Sequence, residues 1–105
     1  MFGLFKNSAS SNQGEIATVI KNNAYLVDVR SKMEFNMGSV SGAVNIPVDE
    51  ISKHIATLKK KENIVVFCRS GSRSGMAKSI LNQNGLQNVY NGGTWQQVKK
   101  IKDAK

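Results

Sequence analysis

The sequence predicts an α/β domain, with a central, mostly parallel sheet of four or five short strands and helices on both faces. Three observations carry this. Short apolar runs alternate along the chain with stretches of helical periodicity, the order in which strand and helix units build a parallel sheet. The runs are apolar throughout rather than alternately polar, as in strands covered on both faces. A chain of 105 residues, 40% of them apolar, suffices for one core and is too short for a second domain.

The chain opens on residues 1–13, Ser/Asn-rich from Asn7 to Gln13. These read as a flexible N-terminal segment ahead of a single domain over residues 14–105. Ile16, Val19 and Ile20 have helical spacing, so Gly14 to Lys21 is a short amphipathic helix closed by Asn22 and Asn23. Tyr25 to Val29 is a buried strand ending at Arg30, and a short helix follows at Lys32 to Met37 until Gly38 stops it.

Ala43 to Ile46 is the second strand, ended by Pro47, which lacks a backbone donor. Asp49 to Lys60 reads as a helix with Ile51, Ile55 and Leu58 on one face, and Ile64 to Phe67 is the clearest strand. Ser74 has the side chain of an N-cap for a helix running to about Asn84, closed by Gly85. Val89 and Tyr90 make the last strand, Gly92 and Gly93 a turn, and Trp95, Val98 and Ile101 space a final helix.

Composition narrows the chemistry. Fifteen Lys and Arg against seven Asp and Glu give a formal charge of +8. Much of that excess sits at Lys59 to Lys61 and at Lys99, Lys100, Lys102 and Lys105, near helix ends where cations suit the dipole. No aromatic-interleaved basic stripe accompanies it, so no nucleic-acid partner is expected; a basic surface equally concentrates a small anion. The start, MFGLFKNSAS, lacks the basic region and apolar length of a signal peptide or membrane span. One cysteine makes no intramolecular disulfide and, with a single distant histidine, no metal-ligand set. A free thiol suits a reducing compartment, and a cytoplasmic protein is expected.

That cysteine, Cys68, ends the strand Ile64 to Phe67, where parallel sheets collect their chemistry. A cysteine so placed is often only a small buried hydrophobe. Its neighbours argue otherwise. Arg69, Ser70, Gly71, Ser72 and Arg73 carry no apolar side chain, and such a loop ahead of a helix can turn successive amides toward one point as an anion nest. The helix N-terminus and two guanidinium groups favour thiolate, so the pKa of Cys68 is expected below the free value of about 8.5. Gly71 permits the turn, and Ser70 and Ser72 add hydroxyls at little steric cost.

Five blocks, in order, resemble the rhodanese-like family, specifically its single-domain thiosulfate sulfurtransferases: LVDVR (Leu26 to Arg30), Glu34-Phe35, GSVSGAVNIP (Gly38 to Pro47), VVFCRSGSRS (Val65 to Ser74) and VYNGGTW (Val89 to Trp95). The resemblance implies that Cys68 is the catalytic cysteine, taking a sulfane sulfur from thiosulfate or a persulfide, holding it as a persulfide, and yielding it to cyanide, a thiol or a sulfur-carrier protein. It implies that Arg69 to Ser74 hold the outer sulfur, that Asp28 and Arg30 support the loop, and that no cofactor or metal is required. One departure is Ser39, where family members commonly carry His; it bears on packing and not on the nucleophile.

Two rivals differ in class. A phosphatase or arsenate reductase would need Cys, five residues, then Arg; here Arg73 falls one residue early and Ser74 holds that place. Non-catalytic binding modules of the same family usually lack the cysteine or have a disrupted loop, and both are intact here. His54 reads as a surface or boundary residue, Trp95 as core or pocket mouth, and Met33, Met37 and Met76 as gap-fillers.

Overall fold

A computed structural model describes residues 13–104. In chain order it contains helix α1 (Gln13–Lys21), strand β1 (Tyr25–Asp28), helix α2 (Lys32–Asn36), strand β2 (Val44–Asn45), a 3-10 helix (Val48–His54), helix α3 (Ile55–Leu58), strand β3 (Ile64–Cys68), helix α4 (Ser72–Gln83), strand β4 (Val89–Thr94) and helix α5 (Trp95–Asp103). The expected N-terminal segment, apart from Gln13 at the head of α1, lies outside the described residues.

The four strands form one sheet in the order β2-β1-β3-β4, all pairs parallel. β3 is central and buried at every position, as its uniformly apolar composition requires. Its residues alternate between two cores. Ile64, Val66 and Cys68 face a cluster with Val27, Ile51, Leu58, Ala77 and Leu81, supplied by β1, the 3-10 helix, α3 and α4. Val65 and Phe67 face the other, with Ile16, Ile20, Leu26 and Val98 from α1, β1 and α5. The mostly parallel, doubly covered α/β sheet is therefore the architecture found, with four strands.

From β1 the chain first moves outward to β2 and then, on the other side, to β3 and β4, so the strand order reverses between β1 and β3. Such a switch point opens a crevice at the carboxyl ends of the two strands. Asp28 ends β1 and Cys68 ends β3, beside that crevice.

Four local expectations are corrected. The helix expected from Asp49 is instead a 3-10 helix over Val48–His54 and α-helical only over Ile55–Leu58. The amide of Val48 is held by Val29 O at 3.0 Å just after Pro47, which ties the segment to the end of β1. α4 starts at Ser72 with Gly71 as its N-cap, at φ +97°, so Ser74 lies inside the first turn. Gly92 and Gly93 lie within β4 rather than in a turn. Met33, Met37 and Met76 are 74%, 84% and 55% exposed and fill no gap.

Candidate active site

β3 delivers Cys68 fully buried, and two backbone amides of the following loop converge on its sulfur. Gly71 N–H donates to Cys68 Sγ at 3.0 Å and Ser74 N–H at 3.4 Å, while Ser74 Oγ lies 3.5 Å away. The left-handed φ of Gly71 reverses the chain over the sulfur, a conformation that residues with a Cβ rarely adopt. Burial pushes the Cys68 thiol up, but the Ser74 hydroxyl and the amides of Ser74, Ser70 and Gly71 outweigh it, and the net direction is down. The expected lowering is present; the hydroxyl and the amides are its largest sources, and a coulombic interaction links the sulfur to Arg73.

Ser74 is fully buried and its hydroxyl donates to Asn91 Oδ1 at 2.7 Å. That inward use explains why it does not cap α4. Gly93 N–H donates to the same oxygen at 2.9 Å, and Asn91 Nδ2 donates to Gly71 O at 3.3 Å.

Arg73 turns away from the sulfur. Its Nη1 and Nη2 donate to Glu34 Oε1 at 2.8 Å and Oε2 at 3.1 Å, a two-pronged ion pair that joins the first turn of α4 to α2. Glu34 is held in turn by Ser31, whose amide donates to Oε1 at 3.0 Å and whose hydroxyl accepts from Glu34 N–H, a capping box on α2. The Arg73 guanidinium first, and then the Ser31 amide, hold the Glu34 carboxyl well below its ordinary 4.5, at about 2. The same pairing raises Arg73. Arg69, Ser70 and Ser72 are exposed on the outer side of the loop.

Asp28 and Arg30 form a buried pair at the end of β1. Arg30 Nε and Nη2 reach Asp28 Oδ1 and Oδ2 at 3.0 and 2.7 Å, and Nη2 also donates to Gly38 O at 2.6 Å. Ser39 Oγ donates to Asp28 Oδ2 at 2.6 Å, so the departure at that position supplies a donor to the carboxylate. The guanidinium lies 4.8 Å from the Trp95 ring centroid, making Trp95 both a packing residue and a lid on the pair. Through the strand register Asp28 stands opposite Phe67, one residue before Cys68.

The profile of the Rhodanese-like domain family matches residues 12–98. This chain belongs to that family. Its rhodanese relatives include the thiosulfate sulfurtransferase PspE of Escherichia coli, 39% identical over 69 residues, which are 64% of this chain and 66% of that protein. The chain thus spans just under two thirds of that relative. A tRNA uridine(34) hydroxylase of Buchnera aphidicola is 32% identical over 79% of this chain but only 28% of its own length. Among solved structures, a rhodanese with anions from E. coli superposes with a TM-score of 0.65 at 36% identity, covering 70% of this chain and 89% of that one. Family membership, sulfurtransferase relatives and the shared fold all agree with the resemblance read from the five blocks.

The blocks single out Cys68, its loop and the Asp28–Arg30 pair, and the structure brings these residues to the carboxyl ends of β1 and β3. Two polar residues of the site were missed as such. Glu34 was visible through Ser31-x-x-Glu34, a capping-box signature, and Asn91 as a polar side chain in the middle of an apolar strand ahead of two glycines.

Proposed function

We propose that this protein is a sulfurtransferase that carries sulfane sulfur as a persulfide on Cys68. The observation that supports this most strongly is the convergence of the Gly71 and Ser74 amides, with the Ser74 hydroxyl, on a buried sulfur whose thiolate they favour.

With thiosulfate as donor, the Cys68 thiolate attacks the outer sulfur. A new S–S bond forms, the S–S bond of thiosulfate breaks, and sulfite leaves with its electron pair. The terminal sulfur now carries the negative charge, and the loop amides from Arg69 to Ser74 stabilise it as they stabilised the thiolate. Cyanide or a thiolate then attacks that sulfur, and the Cys68 thiolate leaves. Each half-reaction exchanges one S–S bond for another or for a C–S bond, with electron pairs balanced and no cofactor called on.

Arg73 anchors the loop through Glu34, and Asp28 with Arg30 fixes the end of β1 beside it. The exposed Arg69 and the basic surface draw the anionic donor toward the crevice. A persulfidated protein or a sulfur-carrier protein serves equally as partner in this scheme. We assign the protein to the cytoplasm, where a lone thiol stays reduced, and to no nucleic-acid or membrane partner. Among the described residues no helix is long and apolar enough to cross a membrane.

Steady-state kinetics test the proposal. Thiocyanate production from thiosulfate and cyanide should follow ping-pong kinetics and vanish in Cys68→Ser. Release of phosphate from an aryl phosphate without thiocyanate would favour the phosphatase rival, and a folded protein that did neither would favour the binding module.

A further inference from the structure

We infer that Asn91 is a positioning residue for Cys68: from β4, one side chain grips the active-site loop at Gly71 and Ser74, two residues whose amides donate to the sulfur. The inference deepens the sulfur-transfer reading and takes its purpose from it.

The strand itself is built to aim this side chain. Asn91 pairs with Val66 and Gly93 with Phe67, so Gly92 is an extra residue in β4 and the ladder bulges directly after Asn91. Gly93 N–H can only donate, so the atom facing it is the Asn91 oxygen, and the same oxygen receives the Ser74 hydroxyl. The opposite end of the amide, Nδ2, is left for Gly71 O. Asn91 is buried, so these bonds are shielded from competition with bulk water.

Losing Asn91 acts on the sulfur in two opposing ways. The single Ser74 hydroxyl proton, which in wild type serves both Asn91 and the sulfur, becomes free to serve the sulfur alone, which favours thiolate. The loop meanwhile loses its hold at Gly71 and Ser74, which loosens both amides and disfavours thiolate. Two amides at 3.0 and 3.4 Å outweigh one hydroxyl at 3.5 Å, so thiolate formation becomes harder. The charged groups on the elements that meet at the loop are Arg69 and Arg73, the latter coulombically coupled to Cys68 and paired with Glu34 on α2, and Asp28 with Arg30 at the end of β1. All of them are retained in the variants compared.

The chain has one cysteine, so thiolate absorbance against pH reports Cys68 alone at pH values below tyrosine ionisation. It requires no sulfur donor. Asn91→Ala is expected to raise the midpoint by about one pH unit, the size of one lost bond to a charged group. Ser74→Ala should also raise it, and the double variant should rise by less than the sum, because the two residues act through shared contacts. A midpoint in Asn91→Ala at or below wild type, or strict additivity with Ser74→Ala, would overturn the inference. Should Asn91→Ala fail to fold, Asn91→Ser, too short to span from Ser74 to Gly71, carries the same expectation and the same refutation. A wild type that gains no sulfur from thiosulfate, together with the expected rise in Asn91→Ala, would sink the proposed function and leave this inference standing.

Discussion

Arg73 forks onto both carboxylate oxygens of Glu34, at 2.8 and 3.1 Å, and so ties the cysteine loop to a helix 39 residues earlier in the chain. The guanidinium that the loop sequence offers to an anion is thereby committed to a structural partner. An oxyanion in the loop would have to compete with a carboxylate already in place.

This pairing has a pH signature. The folded Glu34 carboxyl sits at about 2 against an ordinary 4.5, so its contribution to stability is complete above 4.5 and is lost as pH falls toward about 2. Glu34→Gln should therefore flatten the acid limb of the stability curve over that window in urea titrations. At neutral pH the cost should stay near about 1 kcal/mol, since both partners are about one-third exposed. Sulfur transfer should fall more than stability does, because the loop is released.

Arg30 and Asp28 answer to a different rule. Both are buried, and truncating Arg30 leaves a buried carboxylate with only Ser39 and a backbone amide. Arg30→Met should cost about 3–5 kcal/mol in urea unfolding. The Arg30→Met, Asp28→Asn double variant should recover part of that loss.

Gly92 is required by space rather than by backbone angle. A Cβ there would lie 2.7 Å from Val98 Cγ2 and 2.9 Å from Val65 Cγ1, both branched and packed in the core between β3 and α5. Gly92→Ala should lower stability by about 1–3 kcal/mol, read as a shifted thermal midpoint. Val98→Ala in the same chain should relieve part of the clash.

The sequence was most legible where one local feature decides the structure. Ile64 to Phe67 is a short run rich in β-branched residues, apolar at each residue, as in a strand covered on both faces. Cys68 reads as the strand end and Gly71 as the residue that lets the loop close, and Gly71 does so with a left-handed φ. Ser74 misled because an N-cap and an inward hydrogen bond to Asn91 call for the same short hydroxyl side chain. Partners 17 and 39 residues away, Asn91 for Ser74 and Glu34 for Arg73, are set by how strands and helices stack and leave no mark at the loop itself. The helix after Pro47 failed for a subtler reason, since spacings of four and three between Ile51, Ile55 and Leu58 suit a 3-10 segment leading into one α turn as well as a continuous α-helix.

Intact mass spectrometry after incubation with thiosulfate is the most direct test of the central claim. Wild type should gain the mass of one sulfur atom, lose it on adding cyanide, and gain nothing as Cys68→Ser. A folded wild type that keeps its original mass, or a Cys68→Ser variant that gains sulfur as well, would contradict the account.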